Sequence, residues 1–420
     1  MTYSEFKMFI PRILPLFMVL GFLATNVDCA KKGLVTEEYS KEFYHINKLL
    51  PDKPMDKNPK FIVYGDNRPG WRINEKFLKR ENWFTWKMSL FPFYEVYWLG
   101  NGFVGGIEWL CHTPDCGVQE RRMVRDAIYD EAKRWKVDFI INGGDMATDG
   151  QRPSHWETFL KENKIERPLV LDFPFLPVVG NHDKTNDLNY GLPNYEAIFD
   201  YPRFYVLDFP DAALFVVDSN FIIDQDQLTD DDEQDALFEK WFVAGKDSEQ
   251  PAWLERELAS RKQSFKIVMM HHPPISFGKH YSNWANPSYG RNLPEKRQQL
   301  LKLFYEQGVQ IVLCCHEHAY EHNVLQYPSD KNGSKREIHF IVTGGGGAPL
   351  YPNGDDRKIK KFIQNYRAEG LDVLLLKKEV IYHYCLVDIA PDKVTVQVIE
   401  VTGDATHPLR LVDEILIPKL

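Results

Sequence analysis

Five short runs of this sequence hold the side chains that bind metal ions or exchange protons. Each run directly follows a short apolar stretch. The runs are Gly65-Asp66-Asn67-Arg68, Gly143-Gly144-Asp145-Met146, Gly180-Asn181-His182-Asp183, His271-His272-Pro273-Pro274 and Cys315-His316-Glu317-His318. Carboxylate, carboxamide and imidazole groups suit divalent Mn, Fe, Zn, Mg or Co, and the thiols do not follow a zinc-finger pattern. The pattern therefore indicates metal-dependent chemistry.

The elements that must position these runs are short strands. Each apolar stretch is four or five residues long, as expected for strands buried on both faces. The predicted strands are Phe61–Tyr64, Asp138–Asn142, Leu176–Val179, Leu214–Val217, Lys266–Met270, Gln310–Cys314 and His339–Val342. Helical spacing of apolar residues between several of them predicts an α/β domain. Because ligands bind beyond the carboxyl ends of such strands, the runs are expected to converge.

The chain after about residue 370 has a different pattern. Three stretches predict strands without helices between them, at Val373–Leu376, Val380–Val387 and Lys393–Val398. No linker rich in Pro, Gly or Ser precedes them. We therefore expect a second sheet of the same domain.

The chemistry follows from the number of candidate ligands. Six ligands exceed the needs of one tetrahedral ion, whereas two ions about 3.5–4 Å apart with a shared carboxylate would use them all. Such a pair polarises a phosphoryl oxygen and acidifies a bound water, so that hydroxide attacks phosphorus at neutral pH. A positioned His or Asp then protonates the leaving alkoxide.

The order of the five runs resembles the calcineurin-like metallophosphoesterases, which include the purple acid phosphatases. The resemblance extends in motifs from about Phe61 to His322 and implies the family's four-layer α/β/β/α sandwich. It implies that Asp145 bridges two metal ions. The other implied ligands are Asp66 and His318 for the first ion and Asn181, His271 and His316 for the second.

The resemblance also implies the residues that act on the substrate. His182 would be the general acid or a phosphate contact, oriented by Asp183. His271 is preferred to His272 as the ligand because the family's ligand stands two residues before the proline.

Three positions depart from the family's pattern, and one of them, Cys315 in place of the family's Gly, is expected to be tolerated. Arg68 stands where the family usually has a His ligand, so the first ion loses a nitrogen unless Asn67 or water replaces it. An arginine there opposes a second divalent ion, yet its planar fork suits a substrate phosphate. Thr148 stands where purple acid phosphatases have a Tyr ligand, so a purple iron–tyrosinate centre is not expected. A centre with one ion, or with a weak second ion, stays open.

The predicted function is hydrolysis of a phosphate ester, either a monoester or a diester, on a small molecule or a phosphorylated substrate. The alternative is a weakened or inactive family member that only binds a phosphorylated ligand. The chain has 420 residues, with 51 Lys and Arg against 60 Asp and Glu, and a net charge of −9. This acidic balance argues against nucleic acid as the main partner.

Residues 1–29 read as a processing signal. Lys7 and Arg12 precede an apolar run over residues 13–25. That run spans about 20 Å as a helix, short of the roughly 30 Å membrane core, which predicts a secretory signal peptide and an exported protein, periplasmic, outer-surface or extracellular. Cys29 is the lipid acceptor under a lipoprotein alternative, which Asp28 fits poorly, and this anchor is the predicted membrane contact. Cys111 and Cys116 are close enough in sequence to close a loop, with the pairing left open.

The predicted metallophosphoesterase domain covers residues 55–420. It contains an insertion rich in aromatic residues at about 80–120, between the first and second predicted strands. This insertion is interpreted as a helical hairpin with its own small core, and the alternatives are a wall or lid beside the site and a membrane-contact surface.

Overall fold

Two β-sheets carry the fold. The computed structural model describes residues 55–70, 116–184, 191–220, 249–285, 293–327, 336–351 and 356–419. Their strands are β1 (Lys60–Tyr64), β2 (Phe139–Asn142), β3 (Phe175–Pro177), β4 (Tyr205–Asp208), β5 (Ala212–Val217), β6 (Phe265–Met270), β7 (Val309–Cys314), β8 (Tyr320–Tyr327), β9 (Arg336–Thr343), β10 (Asp372–Glu379), β11 (His383–Ile389), β12 (Lys393–Val401) and β13 (Leu409–Pro418). The strand order is β13-β12-β11-β1-β2-β3 in one sheet and β10-β8-β9-β7-β6-β5-β4 in the other.

Helices flank both sheets. They are α1 (Val118–Trp135), α2 (Pro153–Leu160), α3 (Leu169–Asp172), α4 (Asn181–Lys184), α5 (Leu192–Phe199), α6 (Glu249–Ser260), α7 (Ser282–Ala285), α8 (Leu293–Glu306) and α9 (Asp356–Ala368). Helix α1 packs on β1, β11 and β12, whereas α8 packs on β7 and α9 on β10. The predicted four-layer α/β/β/α sandwich is confirmed.

Strand β5 shows why the central strands consist of apolar residues. Leu214 and Val216 point into the core that both sheets share, while Phe215 and Val217 point into the core beneath the helices of the seven-stranded sheet. Successive side chains of a strand point to opposite faces, so a strand between two cores has no polar face. The short apolar runs of the sequence follow from this burial.

The C-terminal strands do not form a sheet of their own. β10 pairs with β8 in the seven-stranded sheet, whereas β11 pairs antiparallel with β1 and extends the six-stranded sheet through β12 and β13. The expectation that these strands form a second sheet is therefore wrong, because they are divided between the two sheets. The apolar pattern of a strand records its burial and not its neighbour, so the pairing was not visible in the sequence.

The chain divides into two compact units, residues 1–32 with 69–116 and residues 33–68 with 117–420. In the first unit the described residues are 69, 70 and 116, and Gly70 pairs with Cys116 as an isolated antiparallel bridge. All elements named above belong to the second unit. None of the described helices is both long and apolar enough to cross a membrane.

Several predictions lie outside the described residues. These are the signal segment 1–29 with Cys29, most of the aromatic insertion at 80–120, and Cys111 of the possible loop with Cys116. They stay predictions.

Candidate metal centre

The five motif runs converge where β1, β2, β3, β6 and β7 end. The structure brings all the predicted site residues into one cluster of side chains. They are Asp66, Arg68, Asp145, Asn181, His182, Asp183, His271, His316 and His318. Residues spread over about 250 positions of the chain thus meet at one end of the two sheets, as the strand-end argument predicts.

One half of the cluster centres on His271. Its Nε2 lies 3.2 Å from Asn181 Oδ1, 3.2 Å from His316 Nδ1 and 3.4 Å from Asp145 Oδ1. Ligand atoms about 2.1 Å from one ion, at tetrahedral or octahedral angles, are separated by roughly 3.0–3.4 Å. Asn181, His316 and Asp145 therefore lie at the distances from His271 Nε2 that ligands of one divalent ion would have.

The other half of the cluster centres on Asp66. Its Oδ1 lies 3.4 Å from His318 Nε2, and ligand atoms of Asp66, Asp145 and His318 all lie within 4.8 Å of one another. Asp66 is fully buried, and its Oδ1 has no hydrogen-bond partner among the described residues. A buried carboxylate oxygen without a donor is costly, and a cation would satisfy it. The donor set therefore fits a second ion.

Backbone carbonyls select the histidine nitrogens that face the cluster. Nδ1 of His271 lies 2.7 Å from the carbonyl oxygen of Gly143, and Nδ1 of His318 lies 2.6 Å from that of Pro349. A carbonyl accepts only from a protonated nitrogen, so each ring directs the lone pair of Nε2 into the cluster. This is the tautomer that a metal ligand needs.

His272 lies beside the centre but has a different partner. Its Nδ1 is 2.9 Å from Ser219 Oγ, and its ring packs 4.4 Å from the ring of His316. A nitrogen of His272 also lies within 4.8 Å of nitrogens on His271 and His316. Since His271 has the contacts to Asp145 and Asn181, the geometry favours His271 as the ligand.

Backbone strain is concentrated at three of the candidate ligands. Asp66, Asp145 and His316 have φ angles of 57°, 58° and 70°, in the left-handed region. Each such residue costs about 1–3 kcal/mol, which the surrounding contacts must offset. Asp66 Oδ2 accepts from the backbone N–H of His316 at 2.7 Å, and Asp145 Oδ1 accepts from that of His182 at 2.9 Å. The ligands thus hold one another's loops in place.

Gly180 is required by the close approach of two of these loops. A Cβ atom at this position would lie 2.2 Å from the backbone nitrogen of Asp145. The glycine before Asn181 therefore allows the β3 loop to reach the carboxylate of the β2 loop.

Asp183 does not have the predicted role of orienting His182. Its carboxylate accepts hydrogen bonds of 2.8–3.0 Å from the backbone N–H groups of four residues. These are Gly180, Asp145, Met146 and Ala147. Nδ1 of His182 instead lies 2.8 Å from the carbonyl oxygen of Thr148. Asp183 thus shapes the β2 loop, and Thr148 orients the imidazole.

Burial controls the protonation of the centre. It raises the pKa of Asp66 to about 8. Burial, together with the charge of Arg68, lowers the pKa of His182 to about 4 and that of His318 to about 3. Burial alone would raise the pKa of Asp145, but the nearby His271, His182 and Arg68 lower it, and the pKa ends below its ordinary value. The imidazoles of His182 and His318 are consequently neutral at pH 7, and for His318 this is the form that binds metal ions.

Three residues of the site were missed by the sequence reasoning. The ring centroids of His280 and His316 are 4.0 Å apart. Tyr351 stacks on His318, with ring centroids 4.1 Å apart and an angle of 8° between the ring planes. Glu317, between two candidate ligands, accepts from the backbone N–H groups of Lys279 and His280. Glu317 could have been found from its position inside the fifth run. His280 and Tyr351 are isolated in the sequence and gave no such signal.

Replacing Glu317 by Gln is expected to lower the free energy of unfolding by about 2–3 kcal/mol. The carboxylate of Glu317 is buried and also accepts from Ser276 Oγ at 3.1 Å. Glutamine has only one acceptor oxygen and no charge, so the variant loses at least one charged hydrogen bond. Urea unfolding of the metal-free chain measures the effect. Glu400→Gln is the control, because Glu400 pairs with a surface Arg410 and should cost less than about 1 kcal/mol. Equal stability of the two variants would contradict the assigned role.

Comparisons with known proteins agree with this geometry. The sequence model of the calcineurin-like phosphoesterases matches residues 111–320, half of the chain. Tartrate-resistant acid phosphatase type 5 of Sus scrofa is 24% identical over 303 residues, which are 68% of this chain and 78% of that protein. Purple acid phosphatase 17 of Arabidopsis thaliana is 27% identical over 220 residues, covering 50% of this chain and 59% of that protein.

Two solved structures show the same fold. Purple acid phosphatase PPD1 from yellow lupin seeds aligns with 87% of this chain at a TM-score of 0.53 and 15% identity, and the match covers 55% of the lupin chain. PhoD aligns with 88% of this chain and 72% of its own at a TM-score of 0.52 and 12% identity. The resemblance inferred from the motif runs is confirmed: the chain belongs to the calcineurin-like phosphoesterase family of phosphoric ester hydrolases.

Proposed function

We propose that this protein hydrolyses phosphate esters at a centre of two divalent metal ions. The proposed ligands are Asp66, Asp145, Asn181, His271, His316 and His318. The observation that supports it most is the set of 3.2–3.4 Å separations among ligand atoms from five different loops. Bound ions there would polarise a phosphoryl oxygen and lower the pKa of the attacking water.

The side chains of the protein supply binding and proton transfer. The guanidinium of Arg68 lies beside the proposed ligands, with Nε 3.3 Å from Asp145 Oδ2, and presents a planar fork suited to phosphate oxygens. His182 donates its Nδ1 proton to Thr148, which leaves Nε2 for the substrate. A phosphate dianion next to this ring favours its protonation, after which it can donate to the leaving oxygen.

We expect the substrate to be a phosphomonoester or a phosphodiester. Most of the matched relatives are named acid phosphatases, which favours a phosphomonoester. One relative, 25% identical over 185 residues, is named a probable glycerophosphodiester phosphodiesterase, so a diester stays open, as it does in the motif reasoning. Export of the protein rests on residues 1–29 alone and remains our prediction from the sequence.

The deciding experiment combines metal analysis with a substrate panel. Protein purified without added metal is reconstituted with Mn²⁺, Zn²⁺, Fe²⁺, Co²⁺ or Mg²⁺ and assayed on chromogenic phosphomonoesters and phosphodiesters. We expect turnover that depends on the added ion and is lost with a chelator. Bound metal without turnover of any ester would contradict the proposal and favour the alternative, a family member that only binds a phosphorylated ligand.

A further inference from the structure

Arg68 contacts one oxygen of Asp145, the carboxylate that both proposed metal positions share. Its Nε lies 3.3 Å from Asp145 Oδ2, while Asp145 Oδ1 lies 3.4 Å from His271 Nε2. Both side chains are nearly inaccessible to water, at 11% and 2% exposure. Asp145 therefore faces a guanidinium on one side and the His271 group of ligands on the other.

The neighbouring amide does not replace the ligand that Arg68 removes. Asn67 Oδ1 accepts from Asn142 Nδ2 at 3.0 Å, and Asn142 Oδ1 accepts from the N–H of Gly144 at 3.0 Å. The oxygen of Asn67 thus belongs to a chain of hydrogen bonds that supports the β2 loop. The ligands left at the first metal position are Asp66 and His318, together with Asp145, which both positions use.

The charges of the centre also count against a second ion. Metal ligands must be deprotonated, so with a metal ion bound Asp66 and Asp145 contribute −2, the imidazole ligands contribute nothing and Arg68 contributes +1, which gives a net charge of −1 before the metal is counted. One divalent ion brings this to +1, and two bring it to +3. In a buried site such like charges repel more strongly than in water. We assign most of this repulsion to the first position, because Arg68 contacts Asp145 Oδ2 whereas Asp145 Oδ1 faces His271 of the second position.

We propose that Arg68 makes the two metal positions unequal. One ion binds tightly among Asp145, Asn181, His271 and His316, and the other binds weakly at Asp66 and His318, where the guanidinium supplies part of the missing positive charge. This inference rests on the ligand set of the proposed function, and Arg68 acts in it as a built-in third cation of the centre.

The test is a titration of the metal-free full-length chain with Mn²⁺, followed by calorimetry and by elemental analysis after equilibrium dialysis. We expect one tight ion and a second with a dissociation constant at least about tenfold higher. Arg68→Gln removes the positive charge and should reduce the ratio of the two dissociation constants about tenfold or more. Arg68→Lys keeps the charge and should leave that ratio unchanged. Asp66→Asn should abolish the weak ion and leave the tight one.

Circular dichroism and thermal melting of each metal-free variant verify that it is folded. Two ions of equal affinity in the natural chain, or an unchanged ratio in folded Arg68→Gln, would overturn the inference. Neither result depends on turnover, so an enzyme that fails to hydrolyse any ester would contradict the proposed function while leaving this test intact.

Discussion

Asp145→Asn is expected to remove bound metal and phosphoesterase turnover together. The amide keeps the size of the carboxylate and an oxygen for the backbone N–H of His182, so the β2 loop should stay folded. It loses the negative charge that faces Arg68 and the proposed ions. Changes in residues that only support metal ligands cost roughly 10–100-fold in affinity or activity, and loss of a shared ligand should cost more.

The measurement is metal content per chain alongside kcat at saturating substrate. Asp388→Asn is the matched control, because Asp388 makes a partly exposed ion pair with Lys60 on the first sheet, away from the site. The control should keep its metal and turnover. Full metal occupancy in Asp145→Asn would contradict the bridging role of this carboxylate.

His182→Ala is expected to lower kcat by about 10²–10⁴-fold without loss of metal. The ring is not among the proposed ligands, and its backbone N–H, which donates to Asp145, is kept in the variant. His407→Ala is the control, because that side chain is 86% exposed. Loss of metal in His182→Ala would show that His182 is a ligand, and unchanged turnover would remove it from the mechanism.

The pH profile separates a general acid from a simple phosphate contact. Burial and Arg68 lower the pKa of His182 to about 4, so little of the acid form exists at pH 7. If His182 donates a proton, kcat/KM of the natural chain rises as the pH falls from 7 towards that value. The same rise should be absent from His182→Ala, with metal content verified at each pH. A rise of equal size in both proteins would assign the acid to another group.

Much of the fold was predictable because burial leaves a direct mark on the sequence. β1 and β2 are buried at nearly every position and β7 lies between the two cores, so all three are largely apolar and their existence followed from the pattern. β8 was missed because it buries Glu321, His322 and Asn323 among polar partners, which removes the apolar signal. β13 was missed because many of its side chains are at least partly exposed.

The candidate site divides in the same way. Ligand-type residues after strand ends predicted the convergence of Asp66, Asp145 and the histidines, because parallel strands deliver their carboxyl ends to one edge. The role of Asp183 was assigned wrongly. Its partners are backbone N–H groups of another loop, and a sequence does not display which loops lie close together.

By itself the sequence determined which side chains reach the end of the sheets, and therefore the kind of chemistry and the family. The tertiary structure decided which nitrogen of each histidine faces the centre, that Arg68 lies against Asp145, and that His280 and Tyr351 line the same site. The reason is physical: strand periodicity and residue type are local properties, whereas hydrogen-bond partners and charge separations exist only between segments that folding brings together.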